Sequence, residues 1–565
     1  MKIKVTPKYS VIISFLLLVN PLWVKAQEKL APDIYLIRFT NKSQNRFDLS
    51  KPEKFLTTRA LQRRIKQNIS FVTNDLPVSA FYVDSLKHMG FNVLHDSKWL
   101  NAVSVTVTDV QQFEKLSGID FIIPYKAKTT KKSTASFQNK VTSESVFTPT
   151  DPKIQYGLSY GQISMLHGDY LHHRGFQGQG MLIAIIDAGF NNATQMSSLD
   201  SLWNENRVKL VRDLIIPDGN VFTQHQHGSN VLSILAGLSP GNLIGSAPKA
   251  DYVLLRTEDA TIETDGSGRE REYPVEEFNW AVAAELADSL GVDVISTSLG
   301  YSTFNDQALN HSYADMNGRT TIAAKAAAIA ASKGMIVVVS AGNEGNNSWK
   351  YITTPADADS ILTVGAIDVN KNIAGFSSRG PTSDHRIKPD VVAVGKNTYL
   401  QLPNNLFVQG SGTSFSCPII AGLTACLWQS CPNLTNMDLI RAIKEYASQF
   451  TNPDTIMGYG IPDFRQSMYA LNSELFEYEN MLVCSPNPFT NVVELQFEKI
   501  PEGKARLSVV DVLGRKIIDK QLNVNSEIPN IISMSDFSIL ANGFYVVQIS
   551  TNQKKLKTAV LKIDR

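Results

Sequence analysis

Met181-Leu-Ile-Ala-Ile-Ile-Asp187-Ala-Gly189 is a continuous apolar run that stops on a carboxylate and a glycine. A run without polar alternation reads as a strand buried on both faces, the kind found inside parallel sheets. The carboxylate of Asp187 is costly there unless it is hydrogen-bonded, and Gly189 permits a sharp exit from the strand. Working outward, further β-branched runs occur at 251–256, 293–296, 335–340, 361–365 and 390–394, with helical segments between several of them. That order predicts an α/β domain over residues 153–475, built on a mainly parallel sheet with helices on both faces. Sites in such sheets gather at the carboxyl ends of the strands.

The flanks differ. Residues 27–125 read strand–helix–strand, strand–helix–strand, with strands at 33–39, 91–94, 102–107 and 121–125 and helices at 79–89 and 110–116, which predicts a ferredoxin-like α+β unit. Residues 126–152 are rich in Lys, Ser and Thr and poor in large apolar side chains. They cannot bury much surface and read as an exposed, protease-accessible linker. Residues 481–565 read as all-β, with strands at 492–497, 505–510, 543–549 and 558–563, and predict a sandwich. At the start, Lys2, Lys4 and Lys8 precede an apolar segment, and Val24-Lys25-Ala26 offers a small-residue cleavage site. Residues 1–26 therefore predict a secretory signal peptide.

Bulk composition narrows the partners. Lys+Arg total 54 against 53 Asp+Glu, a net charge of +1, so nucleic acid and anionic surfaces are not expected. Four cysteines, Cys417, Cys426, Cys431 and Cys484, are too few for a disulfide framework in this length, although a Cys426–Cys431 bridge stays open.

Three more segments carry chemistry. His227-Gly228-Ser229 opens a helix-like apolar stretch. Gly410-Ser-Gly412-Thr-Ser414-Phe-Ser-Cys417-Pro418 leads straight into another, so Ser414 would sit among backbone N–H groups at a positive dipole end, where growing negative charge is stabilised. Residues 335–345 form a buried strand ending in Ser340-Ala-Gly-Asn343, whose amide could face an oxyanion. Each alone has a plainer reading: a structural Asp, a helix-capping Ser, a turn-forming Asn, or a His225–His227 metal pair. Taken in order, Asp, His and Ser follow the arrangement of subtilisin.

These motifs resemble the subtilase (S8) family, over residues 156–475. Supporting stretches are Gly245-Ser-Ala-Pro-Lys-Ala250, Asp293-Val-Ile-Ser-Thr-Ser-Leu-Gly300, Phe376-Ser-Ser-Arg-Gly-Pro381 and Lys388-Pro-Asp390. The resemblance implies a secreted serine endopeptidase in which Asp187, His227 and Ser414 form the triad and Asn343 the oxyanion hole. It also implies that Ser298, Leu299 and Gly300 pair with substrate and that Ser340, Ala341 and Gly342 form the opposite pocket wall. Ala188, Ser229 and Phe415 depart from the usual Ser/Thr, Thr and Met. No cofactor is required for this chemistry. A structural calcium ion is compatible with the family, with Asp259, Asp265 and Asp315 near candidate loops and no ligand set defined.

By the same resemblance, 27–125 corresponds to a propeptide that chaperones and inhibits, with the activation cut in 126–152. Ser485-Pro-Asn-Pro-Phe489, Val509-Val-Asp-Val-Leu-Gly-Arg515 and Leu540-Ala-Asn-Gly-Phe-Tyr545 resemble the type IX secretion sorting domain. The implied partners are protein or peptide substrates, the chain's own propeptide and an outer-membrane secretion machine, and the implied location is outside the cell or on its surface. A silent surface-binding protein on the same scaffold is the competing reading.

Overall fold

A computed structural model describes residues 27–124, 141–142, 156–262, 270–471, 482–485, 487–497, 503–524, 531–551 and 555–563. The expected signal segment and most of the expected linker lie outside them.

The N-terminal unit contains β1 (Glu28–Ala31), β2 (Ile34–Phe39), α1 (Thr58–Lys66), α2 (Ala80–His88), β3 (Asn92–Ser97), β4 (Ala102–Thr106) and β5 (Ile122–Ile123). Its antiparallel sheet runs β5-β2-β4-β3, with β1 also on β2, which is the ferredoxin-like order. Residues 110–116, expected as a helix, form a 3-10 helix capped by Asp109. Helix α1 was not expected. Val141–Thr142, inside the expected linker, form a short strand, β6.

The central unit holds β7 (Leu182–Asp187), β8 (Val208–Asp213), α3 (His227–Ala236), β9 (Asp251–Arg256), α4 (Val275–Leu290), β10 (Val294–Thr297), α5 (Ile322–Ser332), β11 (Ile336–Ser340), β12 (Leu362–Ile367) and β13 (Val391–Val394). A hairpin, β14 (Thr398–Gln401) and β15 (Phe407–Gly410), leads into α6 (Thr413–Ser430). Seven strands pair in the order β13-β12-β11-β10-β7-β9-β8, all parallel. The six expected strands are present. The seventh, β8, lies at the edge and is only partly buried, so its Val-Lys-Leu-Val-Arg-Asp sequence lacks the continuous apolar signal.

Alternate side chains of β7 divide between two cores. Ile183 and Ile185 pack with α3 and α6, whereas Leu182, Ala184 and Ile186 pack with the alanine-rich α4 and α5. Period-two alternation along a strand makes this division, and it places helices on both faces. The α4/α5 face is then covered by the N-terminal unit, whose Leu30, Leu36, Trp99 and Ala102 join that core.

Charge also crosses this boundary. Arg63 and Arg64 of α1 meet the Asp288 carboxylate on α4 at 2.5 and 2.8 Å, and Lys98 reaches it at 3.1 Å. Arg64 also bonds Asp75, which in turn pairs with Lys333. Burial alone would push the Asp288 carboxyl up, but Lys98, Arg63 and Arg64 together hold it down at about 2. Glu285, one turn earlier on α4, accepts from the backbone N–H groups of Lys98 and Trp99.

The C-terminal unit contains β16 (Leu482–Ser485), β17 (Val493–Phe497), β18 (Gly503–Asp511), β19 (Lys516–Val524), β20 (Ile531–Met534), β21 (Gly543–Ser550) and β22 (Lys555–Lys562). Sheets β16-β17-β20 and β19-β18-β21-β22 enclose one core that includes Phe489, Leu507, Phe537 and Val547, a β-sandwich. All four cysteines are buried free thiols, so the Cys426–Cys431 bridge left open by the sequence is not formed.

Candidate active site

The carboxyl ends of β7, β10 and β11 converge with the amino ends of α3 and α6. Asp187 is the last residue of β7 and is fully buried. His227 opens α3, and its Nδ1 lies 2.8 Å from Asp187 Oδ1. The same oxygen accepts from Ala188 N at 2.8 Å, while Asp187 Oδ2 has no hydrogen-bond partner among the described residues. Ala188 has no hydroxyl to offer it, and the Ser229 hydroxyl donates elsewhere, to Asn191 O at 2.7 Å.

His227 is tuned by two opposing effects. Burial lowers its basicity, but the Asp187 charge and hydrogen bond outweigh burial and leave it more basic than an ordinary imidazole. His225 Nδ1 accepts from the His227 backbone N–H at 3.2 Å.

Ser414 is the second residue of α6, nine-tenths buried, with the helix dipole behind it. Its Oγ donates to Ser298 O at 3.4 Å, and Ser298 Oγ donates back to Ser414 O at 2.9 Å. Among the described residues no hydrogen bond joins Ser414 Oγ to His227. Such contacts commonly tighten only when substrate is bound. The His227 ring stacks on Phe415 with centroids 6.1 Å apart, which gives the unusual residue at 415 a packing role.

Asn343 follows β11. Its Oδ1 accepts from Thr413 N at 2.9 Å and Thr413 Oγ1 at 3.1 Å, and this fixes the planar amide so that Nδ2 points away from Thr413. Thr413 Oγ1 also accepts from Gly342 N at 3.2 Å. Thr413 is therefore a positioning residue that sequence reasoning passed over. The signal was present in Gly412-Thr-Ser414, but it takes the fold to show where the hydroxyl points.

Ser298, Leu299 and Gly300 leave β10, and Ser340, Ala341 and Gly342 leave β11, the neighbouring strand. Thr353 packs closely against both segments. A Cβ on Gly300 would lie 2.1 Å from Thr353 Oγ1, and one on Gly342 would lie 3.0 Å from it. Gly342 also has a φ of +104°, where only glycine is unstrained. The structure brings all ten predicted site residues to one end of the sheet.

A seryl hydroxyl, a His–Asp pair, a helix amino end and a fixed amide at one end of the sheet are the groups that acyl transfer requires. The Cys417 thiol is no rival nucleophile, because burial pushes it up to about 12.

Residues 178–460 match the family described as the subtilase family. The chain belongs to the subtilase family. It is a subtilisin-like serine peptidase. Subtilisin DY of Bacillus licheniformis is 30% identical over 284 residues, covering 49% of this chain and 87% of that protein. Subtilisin E of Bacillus subtilis (strain 168) is 28% identical over 299 residues, covering 52% of this chain and 67% of that one. Among solved structures, MycP1 from Mycobacterium smegmatis matches with a TM-score of 0.44 at 22% identity, covering 59% of this chain and 89% of that chain. Residues 34–144 of the subtilase match a peptidase S8 propeptide domain of Bacteroidota, and residues 485–562 a secretion system C-terminal sorting domain. The sorting domain directs the chain to the cell surface or beyond. Among the described residues no helix is long and apolar enough to cross a membrane.

Cation ligands are a separate matter. Asp259 Oδ1 accepts from Thr261, Asp315 Oδ2 accepts from Ser312, and Asp265 lies outside the described residues. The carboxylates that do gather are Glu258, Glu272 and Glu276, each offering an oxygen within 4.8 Å of the others. Burial pushes Glu258 up to about 7 even though Tyr301 and Thr257 donate to it, and the Asp187 charge adds to the rise.

Proposed function

We propose that this subtilase is a secreted endopeptidase that hydrolyses peptide bonds through an acyl-enzyme on Ser414, with His227 as general base and acid and Asp187 as its orienting carboxylate. The observation that carries this reading is the 2.8 Å bond from His227 Nδ1 to Asp187 Oδ1 beside a serine at the amino end of α6. That bond fixes the tautomer with the proton on Nδ1, leaving Nε2 free to accept the Ser414 proton. Ser414 Oγ then attacks the carbonyl carbon. The oxyanion that forms takes hydrogen bonds from Asn343 Nδ2 and the Ser414 backbone N–H. His227 returns its proton to the leaving amine, and water attacks the ester by the reverse sequence. Asp187 stabilises the imidazolium in both halves.

In this reading substrate lies extended along Ser298, Leu299 and Gly300, with Ser340, Ala341 and Gly342 on the other side, and adds to the site as a strand. The domain plan is a signal peptide at 1–26, a propeptide at 27–125 that inhibits until cut, a linker at 126–152, the peptidase at 153–475 and the sorting domain at 481–565. Chemistry needs no metal ion. A structural calcium ion is a separate proposal.

The test is caseinolysis by the full chain beside Ser414→Ala, with propeptide removal followed on a gel. Wild type should mature and digest casein, and Ser414→Ala should stay full-length and silent. Activity that survives in Ser414→Ala would overturn the mechanism. A folded wild type that neither matures nor cleaves, with calcium supplied, would instead support a binding protein on a subtilase scaffold.

A further inference from the structure

Thr353 stands between the two segments that leave β10 and β11. Ser298 and Ser414 exchange hydrogen bonds, and the Gly342 N–H donates to Thr413 Oγ1, so both segments touch the reacting centre. The gap between them is the place for the side chain of the residue whose carbonyl Ser414 attacks. A Cβ built on Gly300 would collide with Thr353 Oγ1 and lie 3.1 Å from Thr353 Cβ. One built on Gly342 would lie 3.0 Å from the same hydroxyl and 3.4 Å from Thr353 Cγ2, with the Ser378 hydroxyl at 2.9 Å. Thr353 thus fills the gap from one glycine to the other. It is 1% exposed, and its Oγ1 has no hydrogen-bond partner among the described residues. A buried hydroxyl is rarely left so.

We propose that Thr353 is the floor of the pocket for the residue before the cut, and that it restricts that residue to glycine, alanine or serine. This deepens the serine-peptidase reading above and rests on it. The threonine has no way to withdraw. Its N–H donates to Ala341 O at 3.3 Å, its carbonyl accepts from Ala356 N at 2.9 Å, and Tyr301 and Thr354 exchange backbone bonds of 2.8 and 3.1 Å. These bonds hold residues 353–354 against both walls, and branching at Cβ stiffens χ1. A close-packed interior does not take extra carbon atoms without shifting its neighbours. Leucine or phenylalanine would have to displace Thr353, whereas a methyl or hydroxymethyl group stops short of it.

The main chain of every substrate pairs alike along Ser298, Leu299 and Gly300, so discrimination falls to this one side chain. A single methylene in a pocket changes kcat/KM by about 10–200-fold, and an aromatic ring differs from a methyl group by far more. Two substitutions separate volume from hydrogen bonding. Thr353→Gly removes the obstruction. Thr353→Val keeps its shape and removes the hydroxyl.

The experiment expresses the full chain and gives the active protein four chromogenic peptide anilides that differ only in the residue before the anilide: alanine, serine, leucine or phenylalanine. Labelling of Ser414 by a sulfonyl fluoride counts the competent enzyme in each preparation. Wild type should show a kcat/KM at least about tenfold higher on the alanine and serine peptides than on the other two. Thr353→Gly should gain at least about tenfold on the phenylalanine peptide, and Thr353→Val should keep the wild-type order. In parallel, the cuts that wild type makes in casein are mapped by mass spectrometry and should fall after glycine, alanine and serine. Casein cuts mainly after large apolar residues, or a phenylalanine peptide that matches the alanine one, overturn the proposal while Ser414-dependent turnover leaves the peptidase reading standing. So does a Thr353→Gly enzyme that labels at Ser414 and keeps the wild-type preference, or a Thr353→Val enzyme that admits phenylalanine. Absence of Ser414-dependent cleavage of casein and of all four peptides overturns both. The casein map decides the matter even if Thr353→Gly does not fold.

Discussion

Replacing Thr413 by Val tests whether the Asn343 amide is held in place for catalysis rather than merely present. The substitution keeps the shape of the side chain and the backbone N–H bond to Asn343 Oδ1 at 2.9 Å. It removes the hydroxyl that donates to the same oxygen at 3.1 Å and accepts from Gly342 N at 3.2 Å. Each neutral hydrogen bond contributes about 0.5–1.5 kcal/mol, and the Gly342 N–H loses its acceptor. A loss of about 1–2 kcal/mol at the transition state corresponds to a rate roughly 5–30-fold lower. The loss should fall on kcat, because the amide is asked to meet an oxyanion that does not exist in the bound substrate. Replacing Asn343 itself by Leu should cost more, about 10²–10³ in kcat. The assay is steady-state hydrolysis of a chromogenic peptide by matured Thr413→Val, Thr413→Ser and wild type. Thr413→Ser keeps the hydroxyl and should stay within about threefold of wild type, a loss below one neutral hydrogen bond. A Thr413→Val enzyme with wild-type kcat, or with its whole defect in KM, would falsify the positioning argument.

Three further outcomes follow from the same geometry. His227 must be neutral to accept the Ser414 proton, and the Asp187 charge makes it more basic than usual, so kcat/KM should rise with pH through a midpoint above 6.5; Asp187→Asn should lower kcat by about 10⁴, and an unshifted, fully active variant would refute the pairing. Asp288→Ala strands Arg63 and Arg64 in the interface, where loss of one partner of a buried pair costs about 3–5 kcal/mol, so the precursor held by Ser414→Ala should melt lower in calorimetry when Asp288 is also removed. Because the Asp288 carboxyl is depressed to about 2, its stabilisation is complete above its unfolded value and is lost as pH falls through about 2; equal melting of the two precursors at neutral pH would count against the network. The buried Cys417 thiol should leave activity insensitive to iodoacetamide at pH 8, whereas a sulfonyl fluoride should abolish it with label on Ser414, and inactivation traced by mass to Cys417 would reverse the assignment.

What could be read from the chain alone was whatever depends on near neighbours. Strands such as β7 and β11 are buried on both faces, so their apolar runs are unbroken and need no knowledge of the partner. The segments around Asp187, His227, Asn343 and Ser414 are each a few residues of glycine, small and polar side chains at the junction of a strand or loop with a helix, and their order along the chain carries the chemistry. The edge strand β8 escaped notice because half-burial lets Lys209 and Arg212 sit among its apolar residues. Helix α1 escaped for the opposite reason. Arg59, Arg63, Arg64 and Lys66 crowd its short sequence with charge, and Arg64 is fully buried against Asp288, 224 residues later. The pairing of β6 with β15 joins residues 141–142 to 409–410 and has no local signature at all. Side chains announce burial through their own chemistry, but which charge meets which and where the Thr413 hydroxyl points are set by contacts far apart along the chain, Arg64 to Asp288 and Thr413 to Asn343 among them, and only the folded chain brings those together.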